Sequence, residues 1–354
     1  MTKYLRYLFP ALLGGFGCLN AGPASSAPGL VARYPTALRE APGEKSPELN
    51  QLAAGTNLVD LGDVSSFLST VALKDTVRQE PWLKVATPNG LTGWVYAAAI
   101  KPLDKDSAAI RKWQLQKRFE AWFGAGLAHS WQSWLETPVP RTDTSFAGFW
   151  RTGLHLRDTL NLLLARNVTP DAEHPLPDLY WLSELTPYFI IQQNAAAIGY
   201  KMFADYRTVA RTAARTDGVE DDQIAQVFLS AFPVDSIESA LPAWVFPLSA
   251  ETSCSNLGQG RHLFMLQSVD RAMQNGTLFL PELTTLKNNI LEDILDKSRA
   301  YWQPKEKILP ELARIRQSGL KCLNARDRLA LQMRKAMFDA PESNGIRVNL
   351  RSGQ

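Results

Sequence analysis

The fold of the N-terminal part of the chain is decided by residues 80–102, which have the sequence EPWLKVATPNGLTGWVYAAAIKP. Side chains in residues 82–87 alternate between two faces, as they do in a half-buried strand. The dipeptide Asn89-Gly90 then favours a type I′ turn, and residues 93–96 begin a return strand. The stretch therefore predicts a tight β-hairpin.

Four segments lie around and within this hairpin: Ala37-Leu38-Arg39 with Pro42-Gly43, Gly55 with residues 56–59, Trp82-Leu83-Lys84-Val85, and Gly90 with Gly93-Trp94-Val95. In this order they resemble the segments of the bacterial SH3-like domain family. The resemblance implies a small β-barrel over residues 30–103 that closes its own edges. Such a domain is typical of exported proteins, where it binds cell-wall peptide or protein or serves as a spacer beside another domain.

One connection is longer than is usual in that family. Residues 62–80 include an apolar run, residues 67–73, for which we expect an extra hairpin or a lid over any standard binding groove. Trp94 and Val95 are predicted to lie in the core. A second set of aromatic residues is predicted to form an exposed flank, because such rings provide a stacking surface. These candidate ligand-binding residues are Tyr34, Trp82 and Tyr96.

The first 27 residues have the layout of a secretory signal, with Lys3 and Arg6 ahead of an apolar run over residues 7–17. This run is shorter than the roughly 20 residues that a membrane-spanning helix needs. No later segment reaches that length, so we expect no transmembrane helix in the mature chain. We expect an exported protein of the bacterial periplasm or cell envelope.

The site at which the signal segment is cleaved decides which cysteines remain in the mature chain and how they can be modified or paired. Cys18 follows a small residue, as in a bacterial lipoprotein, whose two or three acyl chains anchor it stably to a membrane. The alternative is ordinary cleavage near residues 24–26, which discards Cys18. Cys254 and Cys322 then remain, and an exported chain allows them to form a disulfide. Two buried free thiols are the alternative.

From residue 106 onward the apolar residues recur at helical spacing. We predict an all-helical domain over residues 106–342 and a flexible tail over residues 343–354. Within the domain, one helix kinked by Pro187 is predicted over residues 178–215, and another runs unbroken over residues 305–338. The remaining predicted helices are residues 108–123, a short helix with Trp131 and Trp134, and residues 146–166, 222–231, 262–274 and 283–302.

The predicted fold class is therefore multidomain α+β, with a small SH3-like β-barrel followed by a larger all-α domain. The composition, 45% hydrophobic and 21% charged, is that of a globular protein. The net charge is only +3 and no long run of Lys or Arg occurs, so nothing indicates nucleic-acid binding.

The patterns of known hydrolases are mostly missing. Cys254-Ser255 superficially resembles the nucleophile motif of cell-wall cysteine peptidases, but the resemblance implies a His well downstream of the Cys, and the last His, His262, closely follows Cys254. The four histidines are too scattered for a zinc site, and no phosphate-binding, dinucleotide or Gly-x-Ser-x-Gly motif is present. The acidic run 217–222 lacks the alternating ligands of a calcium loop and is interpreted as helix capping. No metal or cofactor is predicted.

A lytic transglycosylase is the enzyme alternative. Residues 237–240 resemble the Glu-Ser start of that family's motif, in which one Glu acts as acid and base. Residues 257–259 resemble the next element loosely, but with reversed order and longer spacing. We therefore predict a non-catalytic envelope protein whose SH3-like domain contacts peptidoglycan peptide or an envelope protein. The alternative is a divergent helical peptidoglycan-cleaving enzyme that uses Glu238.

Overall fold

The computed structural model describes residues 29–73, 76–103, 105–167, 177–194, 199–238, 241–249 and 252–350. The predicted signal segment with Cys18 lies outside these residues, as do residues 351–354 of the predicted tail. The chain divides into two compact units, the first ending at Ile110 and the second beginning at Arg111. Among the described residues, no helix combines the length and apolarity needed to cross a bilayer.

The first unit is built on antiparallel strands. Seven of them form one sheet in the order β3-β2-β8-β7-β4-β1-β9, and β5 pairs with β6 in a separate hairpin. The strands are β1 (Gly29–Ala32), β2 (Thr36–Arg39), β3 (Glu48–Leu52), β4 (Asn57–Val64), β5 (Ser69–Leu73), β6 (Thr76–Glu80), β7 (Trp82–Ala86), β8 (Thr92–Tyr96) and β9 (Ile100–Pro102).

The seven-stranded sheet is open, because β3 and β9 are edge strands that do not pair with each other in the described part of the chain. A closed SH3-like barrel is therefore not established. What the structure shows is the coarser architecture, a strand-built unit followed by a mainly helical one.

The β7–β8 hairpin is confirmed, but its turn differs from the predicted type. The turn runs from Thr87 to Gly90, whose amide donates to the Thr87 carbonyl at 2.9 Å. Gly90 has a φ of +83°, whereas Asn89 is not among the residues with positive φ. A type I′ turn needs positive φ at both central residues, and Pro88, which occupies the first of these positions, cannot adopt it.

One face of the sheet forms the core of the first unit. Leu83, Val85 and Val95 are fully buried, which confirms the alternation predicted for the hairpin. Gly93 lets β2 and β8 approach closely, since a Cβ there would lie 2.7 Å from the Arg39 carbonyl oxygen. The rest of this face consists of Leu30, Leu38, Leu58 and Ile100.

The second unit is mainly helical, with four short strands among its described residues. Its helices are α1 (Ser107–Phe123), α2 (Ala125–Leu135), α3 (Asp143–Asn167), α4 (Tyr206–Ala213), α5 (Glu220–Ala231), α6 (Arg261–Asn275), α7 (Leu280–Leu295), α8 (Lys305–Gln317) and α9 (Ala325–Met337). Its strands are β10 (Phe189–Asn194), β11 (Gly199–Ala204), β12 (Val245–Pro247) and β13 (Ser253–Ser255), and they pair as two hairpins.

The predicted helix over residues 178–215 is wrong, and so is the all-α description of this unit. A short 3₁₀ helix, Tyr180–Glu184, is followed by the β10–β11 hairpin and then by α4. Tyr200, Met202 and Ala204 are buried at every second position, which is a strand period that the helical interpretation overlooked.

The predicted helix over residues 305–338 is also wrong, because it is two helices. Gly319 has a φ of +67° just after the last turn of α8, which ends the helix. Asn324 and Asp327 then form a capping box that begins α9, with the Asp327 amide donating to Asn324 Oδ1 at 2.9 Å.

Aromatic side chains form much of the core of the second unit. Trp134 stacks on Phe149 at 4.9 Å between ring centroids, and its Nε1 donates to the Phe149 carbonyl at 2.9 Å. Trp150 is stacked on Phe189 at 5.9 Å. Trp131 is also buried, so these three tryptophans serve the packing of the core.

Two glycines of α3 test this packing. A Cβ at Gly153 would lie 2.4 Å from Trp134 Cζ2, whereas a Cβ at Gly148 meets nothing within 4 Å. We expect Gly153→Ala to lower the free energy of unfolding by about 1–3 kcal/mol through overpacking. Gly148→Ala should raise it by up to about 1 kcal/mol, because alanine favours a helix. Denaturant titration measures both, and equal effects of the two variants would contradict this packing.

Candidate functional site

The predicted aromatic flank is not exposed. Trp82 and Tyr96 lie opposite each other on β7 and β8, with 5.5 Å between their ring centroids. Each is only 3% exposed. The predicted exposure of these two side chains is therefore wrong. They belong to a small buried cluster that includes Ala98 and is contacted by Val71 of the β5–β6 hairpin.

The β5–β6 hairpin covers the two rings and binds their polar atoms. Trp82 Nε1 donates to Ser69 Oγ at 2.8 Å, and the Glu80 amide donates to the Tyr96 hydroxyl at 3.0 Å. The same hydroxyl lies 2.8 Å from the Ser69 carbonyl oxygen. Buried tryptophan and tyrosine side chains usually have such partners for their polar tips. The extra hairpin expected around residues 67–73 is thus present.

Tyr34 lies in the connection between β1 and β2 and is half-buried. The guanidinium carbon of Arg33 is 5.4 Å from the centroid of its ring, within the range of a cation–π contact. Since Trp82 and Tyr96 are covered, the three predicted ligand-binding residues do not form one exposed surface.

Trp94, which was predicted to lie in the core, is half-buried on the outer side of the sheet. It pairs with Lys84 on β7 and with Arg39 on β2. Directly paired residues of an antiparallel sheet point to the same side, so the indole lies in a row between two cations. The sequence contained this signal, because Val95 points inward and its neighbour on a strand must point outward.

Apolar side chains lie beside this row. Val59 pairs with Ala86 and is 46% exposed, and Leu61, two residues along β4, is 43% exposed. Lys84 Nζ lies 3.2 Å from Asp63, but both side chains are exposed, and such surface pairs contribute little. We name this surface the Trp94 face, and it consists of Arg39, Val59, Leu61, Lys84, Ala86 and Trp94.

Glu238, the residue of the enzyme alternative, is partly buried and serves as a counter-ion. It accepts hydrogen bonds from the guanidinium of Arg157 and from the Ala204 amide, the latter at 3.2 Å. Burial disfavours the charge of Arg157, but the carboxylates of Glu238 and Asp158 outweigh it and raise the pKa of Arg157. Glu238 thus neutralises a buried cation, while residues 239–240 of the proposed motif lie outside the described residues.

Residues 257–259, which resemble the second element of the transglycosylase motif, lie in a segment that binds a buried carboxylate. The amides of Gly258 and Gly260 donate to Glu311 Oε2 at 2.6 and 2.8 Å, and the Leu263 amide donates to its other oxygen at 3.2 Å. The segment therefore holds the start of α6 on a buried carboxylate of α8.

A Ser–His–Asp cluster that the sequence analysis missed lies in the interior of the second unit. Ser255 Oγ donates to Asp293 Oδ2 at 2.5 Å, and His262 Nε2 lies 2.8 Å from the same oxygen. Arg299 Nε donates to Asp293 Oδ1 at 2.7 Å. Burial acts to raise the pKa of Asp293, but His262, Arg299 and Ser255 outweigh it and hold the pKa below its ordinary value.

The hydrogen-bond pattern of this cluster is not that of an acyl-transfer triad. In such a triad the serine contacts one ring nitrogen of the histidine and the carboxylate contacts the other. Here Nε2 of His262 makes both contacts, at 3.4 Å to Ser255 Oγ, and Nδ1 has no hydrogen-bond partner among the described residues. Because Ser255 and His262 are fully buried, the cluster is a structural network.

The two cysteines of the second unit are free thiols in this structure, Cys254 buried and Cys322 half-buried. Burial raises the pKa of both thiols, that of Cys322 to about 12 with a further contribution from Asp270. The disulfide between them is not formed here, and the pairing stays a prediction.

A thiol count decides between the two states. We expect Cys254 and Cys322 to react slowly with Ellman's reagent in the native protein, because the thiolate is the reactive form and burial disfavours it. After denaturation without reductant, two free thiols, as in this structure, would both react rapidly in a Cys18→Ser background. A denatured chain that releases no thiols would instead establish the disulfide.

Within the described parts of the chain, no group of three or more His, Cys, Asp or Glu side chains is placed to hold a metal ion. Comparisons with protein-family models, curated proteins and solved structures find no match to this chain. The resemblance to SH3-like domains therefore stands on the sequence segments alone, and the assignment stays a prediction.

Proposed function

We propose that this chain is a non-catalytic binding or scaffolding protein of the bacterial cell envelope. Its first unit, a divergent SH3-like domain with an open sheet, contacts peptidoglycan peptide or an envelope protein through the Trp94 face. The observation that carries the proposal is the half-buried indole of Trp94 between Arg39 and Lys84 on the outer side of the sheet.

The chemistry of the Trp94 face matches a short acidic peptide. An indole face and the exposed apolar side chains of Val59 and Leu61 accept aliphatic parts of a ligand. Arginine and lysine bind carboxylates, arginine often through two parallel hydrogen bonds. Cell-wall stem peptides present both kinds of group, and so do many protein segments.

The second unit supports binding rather than catalysis. Glu238 is engaged by Arg157 and by a backbone amide, and the Ser255–His262–Asp293 cluster is buried. An acid–base catalyst must reach the proton that it transfers in the bound substrate. We propose that this unit serves as a scaffold for a second partner. The proposed setting is the periplasm or cell envelope, where acylation of Cys18 would provide a lipid anchor.

The test is sedimentation of the mature protein with purified peptidoglycan, with an assay of the supernatant for released muropeptides. We expect binding without release. Trp94→Ala should weaken binding at least tenfold, because tryptophan is prominent among residues that dominate binding energy. Trp94→Phe, which keeps an aromatic face, should retain most of it. Val77→Ser is the control, since Val77 is 71% exposed on β6 and outside the Trp94 face.

Each other outcome has a distinct meaning. Equal loss of binding in Trp94→Ala and Val77→Ser would contradict the role of the Trp94 face. Muropeptide release that disappears in Glu238→Gln would replace the proposal with the enzyme alternative. Neither binding nor release would exclude peptidoglycan as the ligand and leave the envelope protein as the partner to be sought by cross-linking from position 94.

A further inference from the structure

The loop of residues 216–221 wraps around a carboxylate from another helix. Asp143, at the start of α3, accepts hydrogen bonds from the Asp221 amide at 2.8 Å and from the Val219 amide at 3.2 Å. A Cβ at Gly218 would lie 2.2 Å from Asp143 Cγ, so only glycine permits this close approach. Asp143 thereby joins the start of α3 to the start of α5.

A second carboxyl group is buried against the first. Asp221 is fully buried, and its Oδ2 accepts a hydrogen bond from Thr216 Oγ1 at 2.7 Å. Its Oδ1 has no hydrogen-bond partner among the described residues, and the Asp143 carboxylate is close by, since Asp143 Oδ1 accepts the hydrogen bond of the Asp221 backbone amide. Two ionised carboxylates repel each other, whereas a carboxyl group donates to a carboxylate. One proton between them therefore completes the contact.

The electrostatics of the two groups agree with this geometry. Burial and the proximity of Asp143 raise the pKa of Asp221 to about 6, against the weaker opposing effect of the Thr216 hydrogen bond. Burial also acts to raise the pKa of Asp143, but the hydrogen bonds from Asp221 and Val219 outweigh it and lower that pKa. The pair titrates as a unit and holds a single proton between the two values.

The other charged groups of the surrounding elements are engaged elsewhere or exposed. Glu220 accepts from the Leu278 amide at 2.9 Å, and Arg151 of α3 is paired with Glu282 at 2.6 Å. Asp270 of α6 accepts from Gln274 and from the Cys322 amide. No ion pair found in the described part of the chain brings a cation onto Asp143 or Asp221. The exposed charged residues of these segments are Arg141, Arg215, Asp217 and Asp222, together with Arg271 on α6.

We propose that Asp143 and Asp221 form a proton-dependent clasp that holds loop 216–221 and the start of α5 against the start of α3, and that loosens when the shared proton leaves. The clasp adjoins a narrow cleft between α5 and the α6–α7 connection. Glu220 is the residue before Asp221 of the clasp, and its side chain also lines this cleft, where a Cβ at Gly276 would lie 2.1 Å from Glu220 Oε2. Release of the clasp would therefore loosen this cleft, which Ile224, Phe279 and Leu283 line.

The direction of the pH effect follows from linkage. The closed clasp binds the Asp221 proton more tightly than an open loop does and the Asp143 proton less tightly, so closing is most favourable near the ordinary Asp value of 3.8. The opening equilibrium rises as the pH passes from the ordinary Asp value of 3.8 to about 6, and is constant above that. A shift of about two pKa units corresponds to about a hundredfold change in opening.

Hydrogen exchange of the Val219 amide in the full mature chain tests the clasp. Its protection factor, corrected for the intrinsic exchange rate, should fall about a hundredfold between pH 4 and pH 7. Asp221→Asn should remove this pH dependence, because the amide still donates to Asp143 and accepts from Thr216 but does not titrate. Asp222→Asn is the matched control, exposed in the same helical turn, and should keep the wild-type profile.

A flat profile in the wild-type chain, or the same pH dependence in Asp221→Asn, would overturn the clasp. Circular dichroism shows whether the variants fold. Thr216→Val is a second variant that does not depend on Asp221→Asn folding. Since the Thr216 hydroxyl lowers the pKa of Asp221, its removal should move the midpoint of the protection profile to higher pH. A midpoint that stays or moves lower would count equally against the proposal.

Discussion

The polar tips of Trp82 and Tyr96 are the constraint on which the surface of the first unit depends. A buried indole N–H or phenol hydroxyl usually has a hydrogen-bond partner, and the β5–β6 hairpin supplies partners for both rings through Ser69 and the Glu80 amide. Once this hairpin lies over the two rings, they no longer serve as a binding surface. Trp94, two residues before Tyr96 on β8 and on the same side of the sheet, is only half-buried and remains accessible.

The same requirement accounts for the contacts that the apparent catalytic groups of the second unit make. A buried charge is tolerated only when it is paired and hydrogen-bonded. Arg157 is paired with Glu238, and Asp293 is held by Arg299, His262 and Ser255. Glu311 accepts hydrogen bonds from three backbone amides at and just before the start of α6. Residue types that are typical of hydrolases thus occur here as partners of one another.

Local patterns predicted the features that depend on neighbouring residues. The β7–β8 hairpin, the buried positions of Val85 and Val95 and the extra hairpin could all be read from the sequence. The break between α8 and α9 was also readable, from Gly319 and the capping box at Asn324, but the longer apolar periodicity concealed it. The type I′ turn was excluded by Pro88.

Features that join distant parts of the chain could not be predicted in this way. The covering of Trp82 by Ser69 depends on where a separate hairpin folds, and the contact between Asp143 and Asp221 joins two helices. Neither leaves a periodic signal in the sequence. Pairing of strands β10 and β11 was missed for a related reason, since apolar residues such as Phe189 and Met202 suit either a helix or a strand.

Hydroxyl-radical footprinting of the mature protein, with and without purified peptidoglycan, tests the central claim most directly. We expect Trp94 to be oxidised in the free protein and protected by bound peptidoglycan. Trp82, which is 3% exposed, should stay unoxidised in both samples. Oxidation of Trp82 in the free protein at the rate of Trp94 would show that the hairpin does not cover it. Trp94 that is oxidised equally with and without a bound ligand would contradict its place in the binding surface.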